Sequence, residues 1–163
     1  MRKVVISILV RNSAGVLSRI AGLFSRRGYN IDSLTVGETL NPDISRMTIV
    51  ATGDDDVLEQ IEKQVTKIVD VKKITVLPLD SSVFRELVLI KVLVTPEKRQ
   101  EIATIADIYR ANIVDVSKES VIVSLTGSQS KINAFIDLLD GFTIVEIART
   151  GITGLERGPK GLE

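Results

Sequence analysis

Two asparagines, Asn12 and Asn30, bracket the stretch NSAGVLSRIAGLFSRRGYN. A carboxamide brings polar chemistry without a net charge: its N–H groups donate to a carboxylate and its oxygen accepts from an ammonium. Inside the bracket, Gly15 would let a ligand approach the backbone. The amides of Val16 and Leu17 fall in the first turn of a helix, where free N–H groups and the helix dipole favour an anion. Together these groups suit a small zwitterion such as an amino acid. Taken alone the pattern is not specific, since asparagine is an ordinary N-terminal cap and a glycine near a helix start is only modestly informative.

Other chemistry is scarce. The chain has neither cysteine nor histidine, which removes thiolate and disulfide chemistry together with the usual metal ligand and general base. Asp54, Asp55 and Asp56 precede a helical run, where one can cap and the others complement the dipole, so a hard-metal cluster is the poorer reading. Asp32 and Glu38 are single acids on a hairpin, expected to be solvated. Arg26 and Arg27 sit at the end of a helix, where positive charge is favourable. Lysine plus arginine number 21 and aspartate plus glutamate number 21. With no net field, neither nucleic acid nor a membrane surface is an expected partner. No apolar run approaches the roughly 20 residues of a membrane span, and the N-terminus lacks the pattern of a signal peptide. The expected compartment is the cytoplasm.

The elements that must position these residues repeat. KVVISILV reads as a strand, VLSRIAGLFSRR as a helix with one apolar stripe, NIDSLTVG and SRMTIVATG as a hairpin, DDDVLEQIEKQVTKIV as a helix and VKKITVLP as a strand. The order βαββαβ then recurs: FRELVLIKVLV, PEKRQEIATIADIYRA, NIVDVSKE, SVIVSLTG, SQSKINAFIDLL and TIVEIART. Two tandem α+β domains of ferredoxin-like type follow, each an antiparallel sheet with both helices on one face. We place the domains at 1–78 and 84–150, with a short linker at 79–83. The glycine-rich residues 151–163 are read as a tail that is flexible unless a partner orders it. The sheet faces away from the helices also carry apolar residues, which predicts that sheet faces or edges are buried against another chain; the alternative is a monomer in which the two domains cover each other.

Fold alone does not choose a function. An RNA-binding sheet needs exposed aromatics on its central strands, and RMTIVAT and IVSLTG offer none. A small phosphatase needs an arginine-bearing anion cradle, but the loop around Arg11 and Asn12 lacks the further glycines that shape one. The NSAG junction is left as the candidate site. Its counterpart in the second repeat, VTPEKRQ, has no glycine and begins with proline, so the first domain alone should hold the site.

The runs NSAGVLSRIAGLFSRRGYNIDSLTV, ISRMTIV and EQIEKQVTKIVDV, with RTGITGLERG near the C-terminus, resemble the small regulatory subunit of acetohydroxyacid synthase, also called acetolactate synthase. The resemblance covers essentially the whole chain. It implies an N-terminal ACT domain and a C-terminal ferredoxin-like domain in a regulatory subunit that is not itself an enzyme. It further implies valine as feedback inhibitor in branched-chain amino-acid (valine, isoleucine, leucine) biosynthesis, with Asn12, Gly15, Val16, Leu17, Asn30 and Ile31 as effector positions. The implied partner is the large catalytic subunit, which this chain would activate and which would carry thiamine diphosphate, Mg2+ and FAD; no cofactor is expected on this chain. A free-standing amino-acid sensor acting on another enzyme or a transcription complex is the alternative.

A helix from about Gly15 to Gly28 is roughly 20 Å long, so Asn12 and Asn30 of one chain cannot grip one small molecule together. A homodimer that pairs the first domains antiparallel would bring Asn30 of one copy toward Asn12 of the other.

Overall fold

The computed structural model describes all 163 residues. Its elements follow the order β1 (Arg2–Arg11), α1 (Val16–Arg26), β2 (Ile31–Glu38), β3 (Ile44–Gly53), α2 (Asp55–Thr66), β4 (Val71–Leu77), β5 (Ser82–Leu93), α3 (Pro96–Tyr109), β6 (Asn112–Val116), β7 (Ser120–Gly127), α4 (Gln129–Leu138), β8 (Thr143–Arg149) and β9 (Thr153–Glu156). The chain divides into two compact units, Met1–Val83 with Ile152–Glu163, and Phe84–Gly151.

In the first unit the sheet order is β2-β3-β1-β4, and every neighbouring pair is antiparallel. This is the ferredoxin-like arrangement expected from two right-handed βαβ crossovers. Alternation along β1 decides the core. Val4, Ile6, Ile8 and Val10 share one face with Met47, Ile49 and Ala51, and the stripes Val16, Ile20, Phe24 of α1 and Leu58, Ile61, Val65 of α2 pack on it. Each fully buried aliphatic side chain here contributes about 1.5–3 kcal/mol. The second unit repeats the plan with order β6-β7-β5-β8. Its core joins Val88, Ile90 and Val92 of β5 to Ile102 and Ala106 of α3 and to Ile132 and Phe135 of α4.

The faces opposite the helices differ between the units, and the expectation that both need another chain is corrected for the first. There Val5, Ser7, Leu9, Thr48, Val50 and Leu77 are all buried within the chain. In the second unit Leu89 and Leu93 remain 40% and 47% exposed. Part of the difference lies in the tail. Expected to be flexible, residues 152–163 instead belong to the first unit. β9 pairs with β5, and the N–H of Arg157 donates to the carbonyl of Ser81 at 2.8 Å. The Arg46 guanidinium donates to Ser7 Oγ at 2.7 Å and pairs with Glu163 at 3.1 Å. Arg46, Thr75 and Leu77 then line a cavity of about 480 Å³ together with Leu155 and Leu162. The tail's glycines suggest flexibility, whereas Ile152 is buried and Leu162 lines this cavity, placements that strand periodicity alone does not reveal.

One buried charge in the second unit gives a stability prediction. Glu86 is 4% exposed and accepts from Arg149 Nε at 2.8 Å and Nη2 at 3.0 Å. The same Nη2 also donates to Asn133 Oδ1 at 3.3 Å. The hydrogen bonds to Glu86 hold the arginine above its ordinary pKa, against the opposing effect of burial. Arg149→Ala leaves that carboxylate buried without its cation, and we expect a loss of about 2–3 kcal/mol, below the range for a wholly buried pair because the arginine is partly solvated. Replacing both residues, Glu86→Gln with Arg149→Met, should recover much of the loss in thermal or urea unfolding.

Candidate functional site

The candidate site is built at the junction of β1 and α1. The chain leaves β1 with the N–H of Asn12 bonded to the carbonyl of Asp43 at 2.8 Å, then turns as Ser13 N–H donates to Arg11 at 3.0 Å. Gly15 stands at the N-cap of α1 with φ 85° and ψ −10°. A left-handed residue at this point suits glycine, because a Cβ would strain the backbone. Asn12 therefore does not cap the helix as expected, and no side chain does. The N–H of Val16 turns to Ser13 at 3.5 Å, and the first helical bond runs from Arg19 to Gly15 at 3.0 Å. The N–H groups of Leu17 and Ser18 are left with no acceptor in the chain. No acid occupies the first turn of α1, so the positive end of the dipole is not neutralised from within the helix.

Asn12 has a different task from capping. Its Nδ2 donates to Glu38 Oε1 at 3.2 Å and to the carbonyl of Pro42 at 2.8 Å. Both partners are acceptors only, which sets the orientation of the carboxamide. Its oxygen is left free to accept. Of the two uses of this asparagine that the sequence allowed, donation to a carboxylate or acceptance from an ammonium, the geometry favours acceptance. Glu38 is thus tied to Asn12 and not merely solvated.

Asn30 stands just before β2. Its Nδ2 donates to Asp32 Oδ1 at 2.8 Å, and Asp32 Oδ2 accepts from Thr52 Oγ1 at 2.6 Å. Asp32 is therefore bonded as well. Since Asn12 holds Glu38 at the end of β2 while Asn30 precedes its start, the length of β2 separates the two asparagines, about 23 Å at roughly 3.3 Å per residue. The remaining positions differ in what they offer. Val16 is buried in the core and its N–H, expected to be free, is bonded to Ser13, so the free first-turn donors are those of Leu17 and Ser18. Ile31 is half-buried against the core, whereas Leu17 is 46% exposed beside the junction.

Sequence reasoning missed Arg19. Its Nη1 donates to Asp70 Oδ2, and Asp70 is 4% exposed with its backbone carbonyl accepting the N–H of Arg11 at 2.9 Å. Arg19 Nη2 reaches back to within 3.9 Å of where a Gly15 side chain would begin. The signal was present as a four-residue spacing on a helix whose side chains lean toward its N-terminus. Asp70, distant in sequence, could not be paired with it from the sequence alone. The three aspartates ahead of α2 also differ from expectation in detail. Asp54 occupies the N-cap without a side-chain cap bond, and Asp55 pairs with Arg2 at 2.5 Å.

No helix is long and apolar enough to cross a membrane, and no group of three or more acidic, histidine or cysteine residues is placed to hold a metal ion.

Comparison with known proteins agrees with this architecture. A family model described as an AHAS small subunit-like ACT domain matches residues 6–73, and one described as the small subunit of acetolactate synthase matches residues 85–158. The chain is 53% identical over 155 residues to a probable acetolactate synthase small subunit of Archaeoglobus fulgidus, covering 95% of this chain and 97% of that one. It is 46% identical over 161 residues to the acetolactate synthase isozyme 3 small subunit of Escherichia coli, covering 98% of each. The crystal structure of the acetolactate synthase small subunit of Thermotoga maritima superposes with a TM-score of 0.91 at 46% identity, covering 98% of this chain and 100% of that one. With relatives this similar over nearly its whole length, the chain belongs to the acetolactate synthase small-subunit family.

Proposed function

We propose that this chain is the non-catalytic regulatory subunit of acetolactate synthase in branched-chain amino-acid biosynthesis. It binds the large catalytic subunit, raises its activity and confers inhibition by valine. Thiamine diphosphate, Mg2+ and FAD are assigned to that partner. Family membership supports the partner; one local observation carries the effector site. The start of α1 is uncapped and opened by Gly15, with two free N–H groups beside an asparagine whose oxygen is free.

A valine carboxylate bonded to the N–H groups of Leu17 and Ser18 would gain from the helix dipole. Its ammonium would face the oxygen of Asn12 near the charge of Glu38, and its isopropyl group would lie against Leu17. One chain supplies only half of these contacts. β2 is an edge strand that pairs only with β3, and an unpaired edge is a template for another strand. Antiparallel pairing of two β2 edges about a two-fold axis places Asn30 and Ile31 of one copy near Asn12 of the other and makes two equivalent sites. Valine would then act by favouring one arrangement of the dimer over another. A coupling of about 1–3 kcal/mol suffices for useful control.

Reconstitution is the direct test. The purified chain alone should form no acetolactate from pyruvate, while adding it to the large subunit should raise turnover and make it valine-sensitive. Turnover by the chain free of large subunit, or a large subunit indifferent to its addition, would refute the assignment. A pull-down that recovers a DNA-binding protein in place of a thiamine-diphosphate enzyme would point to a free-standing sensor.

A further inference from the structure

Arg19 has a role in the chain that its pairing with Asp70 does not exhaust. Only its Nη1 is bonded, to Asp70 Oδ2. Its Nη2 has no partner in the chain and stands 3.9 Å from the position of the missing Gly15 Cβ. A guanidinium carries five donors in a rigid fork, so engaging one side on Asp70 leaves the other able to take a second carboxylate. Asp70 is a firm anchor. Its side chain is 5% exposed, Arg11 Nε lies 3.9 Å from its other oxygen, and its carbonyl is bonded to the end of β1. Two arginines face one buried carboxylate, which leaves one guanidinium charge unbalanced around Asp70, apart from the Glu38 carboxylate that Asn12 holds and that serves the ligand's ammonium. That charge matches one carboxylate on a ligand.

We propose that Arg19, held by Asp70, contacts the effector's α-carboxylate at Gly15 and makes the site specific for amino acids with a free carboxylate. The inference rests on the effector site proposed above and adds to it a charged side chain that backbone N–H groups alone do not require. An analogue whose carboxylate is replaced by a neutral carboxamide, such as valinamide, keeps the ammonium and the isopropyl group but gives the guanidinium no negative charge to pair with, so it should bind far more weakly.

The test uses the full chain and isothermal calorimetry with valine and valinamide. Wild-type protein should favour valine over valinamide. Arg19→Gln should lower valine affinity roughly ten- to hundred-fold, the range for losing a hydrogen bond to a charged group, and leave valinamide nearly unchanged. Arg19→Lys keeps the charge but not the fork, so it should retain part of the preference and serve if Arg19→Gln loosens the fold. Loss of both ligands by the same factor in both variants would assign Arg19 a purely structural role and overturn the proposal. Unchanged valine binding in Arg19→Gln would also overturn it. A wild-type chain that binds no valine would instead refute the effector site itself, and this inference with it.

Discussion

Mixing two inactive variants should restore valine binding. Asn12→Ala and Asn30→Ala homodimers should each lose most of their affinity, since each removes a polar partner of a charged ligand, worth about 1.5–3 kcal/mol. If each site takes Asn12 from one copy and Asn30 from the other, the heterodimer of the two variants contains one doubly damaged site and one intact site. Half the normal capacity per heterodimer should therefore return, about a quarter over a randomly exchanged equimolar mixture. Equilibrium dialysis reads the capacity, and mass labelling verifies the exchange. No recovery in an exchanged mixture would rule out the shared site, because asparagines acting within one chain would leave every site short of one. The structure adds a control. Asn12 ties the β2–β3 hairpin through Glu38 and Pro42, so Asn12→Ala removes a local support worth about 1 kcal/mol, and its thermal unfolding should be measured beside its binding.

The second large effect is expected from Gly15→Asp. A carboxylate introduced here would sit beside Arg19 Nη2 and the free N–H groups of α1, occupying the place of the effector's own carboxylate. Valine inhibition of the reconstituted enzyme should vanish while stimulation of the large subunit persists. The left-handed φ of Gly15 means any side chain costs about 1 kcal/mol, aspartate less than most. Gly15→Ala separates the two effects. Its Cβ meets nothing closer than ordinary contact, so it carries the same backbone strain without the charge and should keep more of the valine response. Equal loss of inhibition in both variants would attribute the effect to the backbone. Full inhibition of Gly15→Asp would move the site elsewhere.

Much of this was legible in the residues. The apolar stripe Val16, Ile20, Phe24 and the alternation Val4, Ile6, Ile8, Val10 are local periodicities, and periodicity specifies helix, strand and buried face without reference to distant residues. The repeated βαββαβ order then leaves few topologies, and the observed strand orders are among them. Likewise local were Gly15 at a strand-to-helix junction and the wide separation of Asn12 from Asn30.

Tertiary structure alone decided which polar groups remain free. Asn12 became an acceptor because Glu38 and Pro42, at the far end of a hairpin, consumed its donors. Arg19 was placed over Gly15 with one side of its guanidinium taken by Asp70, 51 residues away. The tail, aperiodic and glycine-rich, was placed with the first unit by contacts such as Arg46 with Glu163, 117 residues apart. Secondary structure is set by backbone hydrogen bonds and side-chain spacing along the chain. The donors and charges left at a site are what remains after distant partners have taken their share, and those pairings exist only once the chain has closed on itself.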